Sequence, residues 1–185
     1  MTLTELFRIY PTDKETAHSY GPVYDQLLSP LRESATQIME IGVDKGGSLL
    51  AWRDYFPNAR ILGLDIEPKY CFDDGRISTF KVDVSSHILL RNALWEDLEP
   101  ESCDLIIDDG PHNLVQQFGC LFILWRFLKP GGLYIIEDAL QMYEYHTEPY
   151  HIPLDRLAEM RFIDRTQVKG RTDDYLAIFT KEKGA

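Results

Sequence analysis

Apolar and polar positions along the chain follow two rhythms. Short runs dense in aliphatic and β-branched residues fall at 37–43, 60–65, 77–82, 103–108 and 133–137, and each gives way to acidic, polar or glycine residues. Between them lie longer amphipathic stretches, notably 48–55 and 114–128. In the second, Val115, Phe118, Leu121, Phe122 and Trp125 recur at helical spacing. Lys129-Pro130-Gly131-Gly132 then predicts the end of that helix and a turn into the next strand. Such alternation builds a parallel sheet covered by helices on both faces. The last third differs. Runs at 161–168 and 175–181 are strand-like and separated only by Lys169-Gly170-Arg171-Thr172-Asp173-Asp174, too short for a helical crossover, so an antiparallel hairpin is expected. The fold class expected is α/β, a doubly wound, mostly parallel sheet with that hairpin at its edge, in one domain over residues 1–185.

Composition narrows the partners. With 185 residues and 44% hydrophobic content the chain can bury a substantial core. Asp and Glu number 30 against 19 Lys and Arg, a net charge of -11 that repels nucleic acid and anionic membrane, so neither is an expected partner. Small neutral or cationic ligands fit better. Cys71, Cys103 and Cys120 are an odd set without C-x-x-C spacing, which points to a reducing compartment. The N-terminus lacks a basic segment followed by an apolar stretch, and no window reaches about 18 uncharged apolar residues, so a soluble cytoplasmic protein is expected.

In open α/β sheets, ligands bind beyond the carboxyl ends of the strands. After the first strand comes Glu40-Ile41-Gly42-Val43-Asp44-Lys45-Gly46-Gly47-Ser48, a turn whose glycines admit a ligand close to the backbone and whose Ser48 can cap the following helix. The second strand ends on Asp65, placed to accept hydrogen bonds from both hydroxyls of a ribose. The third ends on Val82-Asp83-Val84, where a carboxylate can meet the exocyclic amine of a base. The spacing G-x-G-x-x-G is absent, which argues against a pyrophosphate seat and for a nucleoside without phosphates.

E-x-G-x-x-x-G-G-S, Asp65, Asp83 and Lys129-Pro130-Gly131-Gly132, in that order, resemble the class I S-adenosylmethionine-dependent methyltransferases. The resemblance implies a seven-stranded sheet of order 3-2-1-4-5-7-6 and S-adenosylmethionine as cofactor. By position it implies that Gly42, Gly46 and Ser48, with Asp44 in the same turn, line the methionine moiety. Asp65 would take the ribose, and Asp83 with Val84 the adenine.

The run CDLIIDDGPHNL (103–114) carries the candidate chemistry, since it is an apolar strand ending in Asp108-Asp109 and His112. Adjacent buried carboxylates need positive charge to compensate them. The fifth strand ends beside it on Glu137-Asp138, and carboxylate oxygens gathered from two strand ends suit a hard divalent cation such as Mg²⁺. Thr12-Asp13-Lys14 with His18, Tyr20 and Tyr24, followed by the D-D-G-x-H and I-I-E-D motifs, resembles the metal-dependent sugar O-methyltransferases, above all the catalytic domain of the macrolide-sugar enzymes of mycinamicin biosynthesis. That resemblance implies Asp109, Glu137 and Asp138 as metal ligands and His112 as general base, with Asp108 facing the cofactor or supporting the loop. Pro111 departs from it at a position where a serine-like residue is expected. The acceptor implied is a hydroxyl of a sugar or glycosylated metabolite, in a protein that can form a homo-oligomer. A catechol acceptor is the alternative within the class. Outside it stand a nicotinamide oxidoreductase, disfavoured by the glycine spacing, and a non-catalytic S-adenosylmethionine-binding partner. Residues 141–151, with Tyr143, Tyr145, His146, Tyr150 and His151, are a candidate acceptor lid, whereas Trp52, Trp95 and Trp125 are expected in the core.

Overall fold

A computed structural model describes residues 1–67, 75–95, 98–146 and 154–184. Seven strands form one sheet in the order β3-β2-β1-β4-β5-β7-β6. They are β1 (Gln37–Ile41), β2 (Arg60–Asp65), β3 (Ile77–Lys81), β4 (Cys103–Asp108), β5 (Leu128–Ile136), β6 (Leu157–Asp164) and β7 (Tyr175–Lys181). β3-β2-β1-β4-β5 pair in parallel, while β7 runs antiparallel between β5 and β6. Order and directions are those the resemblance implies. Helices cover both faces: α4 (Gly47–Tyr55) packs on one, α5 (His87–Trp95) and α6 (Leu114–Leu124) on the other, each over its own apolar cluster. Among the described residues no helix is long and apolar enough to cross a membrane.

Several boundaries differ from the sequence reading, each for a local reason. β1 stops at Ile41 because Gly42 turns into the left-handed region at φ 85°. The helix begun at Leu114 ends at Leu124, and Trp125–Phe127 tighten into a 3₁₀ turn. Lys129-Pro130-Gly131-Gly132 lies inside β5 as an irregularity: pairing with β4 jumps from Cys103↔Leu128 to Leu105↔Leu133. β6 sits four residues earlier than expected, and Thr166–Lys169 forms a helical turn, α8, within the hairpin connection. Val115 and Phe122 do not face the core but are 74% and 45% exposed, whereas Leu121 is fully buried. Trp52 and Trp125 are buried as expected, and the Trp95 side chain lies outside the described residues.

Ahead of the sheet, α1 (Leu3–Ile9), α2 (Asp13–Thr16) and α3 (Gly21–Leu28) wrap the face that carries α4. Thr2 and Glu5 close a capping box on α1, whose Leu3, Leu6 and Phe7 share one buried side. Phe7 and Tyr24 both meet the Trp52 ring edge-on, with centroids 5.1 and 5.3 Å away. Asp25 of α3 accepts from the Leu3 amide and the Thr4 hydroxyl, tying the two helices. This clamp carries residues 12–24 across the carboxyl ends of the strands.

Candidate active site

Beyond those strand ends lies a cavity of about 630 Å³, walled by the glycine turn after β1, by Asp65, by Asp109 and His112 after β4, and by Thr12 and Asp13. A second hollow of about 210 Å³ shares Gly42, Asp65 and Asp109 and continues past Val82, Asp83 and Val84. The structure therefore brings together the candidate cofactor residues of three strands and part of the candidate reaction residues.

Glycine at position 42 is required twice over. Its φ is left-handed, and a Cβ there would lie 2.0 Å from the Asp109 carbonyl oxygen. Gly46, at φ 77°, is the N-cap of α4. Ser48 therefore does not cap the helix as expected. It lies within the first turn, and its hydroxyl donates to Glu40 Oε2 at 2.7 Å while its residue still lines the cavity. Asp44 stands exposed on the rim at φ 42°. Asp65 braces the turn from the next strand: Oδ2 accepts from the Val43 and Asp44 amides and Oδ1 from Glu67. Asp83 Oδ1 is engaged by the amide and hydroxyl of Ser85, and Val84 is buried in the smaller hollow.

Asp108 lines neither hollow. Its buried carboxyl accepts from the Gly110 amide and the Tyr134 hydroxyl. Burial pushes its carboxyl up to about 7. Since an unfolded aspartate titrates near ~3.9, the native state holds a proton that the unfolded chain releases, and stability falls as pH rises from about 4 to about 7. Asp108→Asn should remove this dependence, flattening the pH 5 to pH 8 change in urea-unfolding stability by an amount on the order of 2–4 kcal/mol. An identical pH slope in wild type and variant would reassign the proton.

The carboxylates at the ends of β4 and β5 have a compensating charge that the sequence reading did not supply. Lys14, fully buried, donates to Asp109 Oδ2 at 2.6 Å and Glu137 Oε1 at 2.8 Å, and its ammonium stands 3.0 Å from Glu40 Oε1. Burial disfavours its charge, but Asp109, Glu137 and Glu40 together outweigh that and hold its pKa well above the ordinary value. One ammonium cannot neutralise three acids. Burial, opposed by Lys14, accordingly raises the Asp109 and Glu40 carboxyls, and it raises Glu137 further, with help from the Asp109 charge. Tyr24 also donates to Glu137 Oε1, at 2.5 Å, and Tyr20 donates to Asp138 Oδ1 at 2.8 Å.

Asp138 follows on a left-handed backbone, φ 50°, as does Ser19 at φ 54° between the stacked rings of His18 and Tyr20. Of the five described non-glycine residues at positive φ, Ser19, Asp44 and Asp138 thus belong to this site or its support. His18 Nδ1 lies 2.6 Å from Asp174 Oδ1 and 3.4 Å from Asp138 Oδ1. Among the described residues these three form the group whose ligand-type atoms all approach within 4.8 Å, so the tightest cluster is not the expected Asp109, Glu137 and Asp138. His112 is 47% exposed in the cavity wall, its Nε2 3.7 Å from Asp138 Oδ2. The supposed lid divides: Leu140–His146 is a helix, α7, with Tyr143 stacked on Tyr175 and Tyr145 edge-on to Phe118. The His146 side chain, Tyr150 and His151 lie outside the described residues.

No protein-family profile matches the chain. It is 34% identical over 139 residues, 71% of its length, to an 8-demethyl-8-alpha-L-rhamnosyl tetracenomycin-C 2'-O-methyltransferase of Streptomyces olivaceus. Identity is again 34%, over 149 residues and 76% of its length, to a mycinamicin VI 2''-O-methyltransferase of Micromonospora griseorubida. The solved structure of the mycinamycin-pathway methyltransferase MycE, in complex with Mg, SAH and mycinamycin VI, superposes on 99% of the chain with a TM-score of 0.79 and 26% identity. The chain belongs to the class I S-adenosylmethionine-dependent methyltransferases. Within that methyltransferase family it spans only 36% and 37% of those two curated relatives and 55% of MycE. The N-terminal motif that carried the resemblance now has a physical role: Lys14, His18, Tyr20 and Tyr24 each contact an acid at or near the carboxyl end of the sheet.

Proposed function

We propose that the chain is the catalytic domain of an O-methyltransferase that moves a methyl group from S-adenosylmethionine to a hydroxyl of a sugar or glycosylated small molecule, with a divalent cation, Mg²⁺ for preference. The observation that carries this reading is a single cavity that joins the Gly42 turn and Asp65 to Asp109 and His112. The sugar acceptors named for the relatives supply the substrate class.

The chemistry of the donor set suits a hard cation, although the ligand atoms of Asp109, Glu137 and Asp138 are not drawn within 4.8 Å of one another in the structure. Lys14, Tyr24 and Tyr20 hold one oxygen each of Asp109, Glu137 and Asp138, and the other oxygen of each carboxylate accepts no hydrogen bond from the described residues. Groups that grip a carboxylate from behind are the usual means of aiming its remaining oxygen. The excess of buried acid over ammonium leaves the site short of positive charge. Asp109, Glu137 and Asp138 would hold the ion, and His18 with Asp174 would brace Asp138. When bound, the cofactor supplies a methyl already activated on sulfur, and the cation a Lewis acid that lowers the pKa of a hydroxyl. The chain's own residues do the rest. Gly42 and Asp65 seat the cofactor, the cavity wall orients the acceptor, and His112 takes the acceptor proton on its imidazole.

Calorimetric titration with S-adenosylhomocysteine and with NAD tests the cofactor assignment. The former should bind and the latter should not; the reverse preference would return the oxidoreductase reading. Asp65→Ala should weaken S-adenosylhomocysteine binding by about 1–3 kcal/mol through loss of a charged acceptor. Unchanged affinity would remove Asp65 from the cofactor seat.

A further inference from the structure

Three carboxylates from three strands share the Lys14 ammonium unequally. It makes hydrogen bonds to Asp109 and Glu137 at 2.6 and 2.8 Å and an ion pair with the fully buried Glu40 Oε1 at 3.0 Å, the longest of the three. The other Glu40 oxygen is engaged: Ser48 Oγ and Trp52 Nε1 both donate to Oε2, at 2.7 and 3.1 Å. Those donors lie on α4, whose N-cap Gly46 closes the cofactor turn. Glu40 is thus tied to the cofactor seat and Asp109 with Glu137 to the reaction centre, and Lys14 stands between them. It is fully buried and no part of the cavity wall, so it acts through other residues and not on a ligand.

Building on the methyltransferase reading above, we propose that Lys14 is a positioning residue that couples the two halves of the site, its ammonium shared between the Asp109–Glu137 pair and Glu40 so that cofactor and divalent cation reinforce each other's binding. A cation held by Asp109 and Glu137 would weaken their hold on the ammonium. Glu40 Oε1, the acid it now meets at the longest distance, 3.0 Å, would then hold it more closely. A Glu40 held at both oxygens fixes Ser48 and Trp52, and with them the start of α4 and the turn at Gly46 and Gly47. Thermodynamic linkage makes the effect reciprocal, so cofactor at the turn tightens the cation to the same degree.

The test titrates S-adenosylhomocysteine into the chain with MgCl₂ and after chelation, in wild type, Lys14→Met and Glu40→Gln. In wild type, Mg²⁺ should tighten S-adenosylhomocysteine by about 5-fold or more, and in either variant that ratio should fall to about 2-fold or less although the ligand still binds. A purely structural role for Lys14 would lower affinity without moving the ratio. A variant ratio equal to wild type overturns the proposal, as does a wild-type affinity indifferent to Mg²⁺. Should Lys14→Met not fold, because three buried acids lose their counter-charge, Glu40→Gln carries the test alone, and an undiminished ratio there overturns it. Folded wild type that binds no S-adenosylhomocysteine under either condition instead overturns the methyltransferase reading itself.

Discussion

His112→Ala is expected to lower kcat by about 10²–10⁴-fold while leaving cofactor and cation affinity within a few-fold of wild type. The variant removes the imidazole of a residue that is half-exposed in the cavity wall and whose Nε2 stands 3.7 Å from Asp138 Oδ2. Its truncation therefore breaks no hydrogen bond among the described residues. An alcohol is a weak nucleophile at neutral pH, and methyl transfer from a sulfonium is an in-line displacement in which that oxygen must shed its proton as the new bond forms. The imidazole of His112 is placed to take that proton. Steady-state kinetics with a saturating acceptor, paired with S-adenosylhomocysteine calorimetry, separates the possibilities. Near-normal kcat with lost cation affinity would make His112 a ligand, and the base would have to be found elsewhere.

Exhaustive chelation should reduce turnover to background, and Mg²⁺ should restore it, while S-adenosylhomocysteine stays bound to within about tenfold. Asp109→Asn should behave as chelated wild type does even in excess Mg²⁺, since the amide loses the charge that makes its free oxygen a hard ligand. It also removes one of the two hydrogen-bonded counter-charges of Lys14, so circular dichroism must show that the variant is folded. Full activity after EDTA would eliminate the cation and leave Lys14 as the positive charge bonded to Asp109 and Glu137 among the described residues.

Much of this was legible in the sequence, and the pattern of failures is physical. Strands β2 and β4 match their expected bounds because their apolar runs end abruptly in acids, and Gly42, Asp65, Asp83 and Asp109 assemble as expected because strand order dictates which ends are neighbours. β6 was misplaced by four residues because residues 157–164 carry alternating exposed and half-buried positions at a sheet edge, where the apolar signal is weak. The role of Lys14 was out of reach. Its hydrogen-bond partners lie 95 and 123 residues away, and a lysine in the short helix α2 reads as solvated surface until the fold buries it. Adjacent acids after an apolar strand call for compensating positive charge. The chain supplies part of the positive charge itself. The same limit applies to His18, whose pairing with Asp174 spans 156 residues.

Methyl transfer to a sugar hydroxyl is tested by incubating the chain with methyl-labelled S-adenosylmethionine, Mg²⁺ and a panel of glycosides that includes rhamnosides, and locating the label by mass spectrometry. The account predicts label on a sugar oxygen, dependent on Mg²⁺ and on His112. Cofactor binding without label on any hydroxyl, glycosidic or catecholic, would contradict it and leave a domain that holds the cofactor but does not use it.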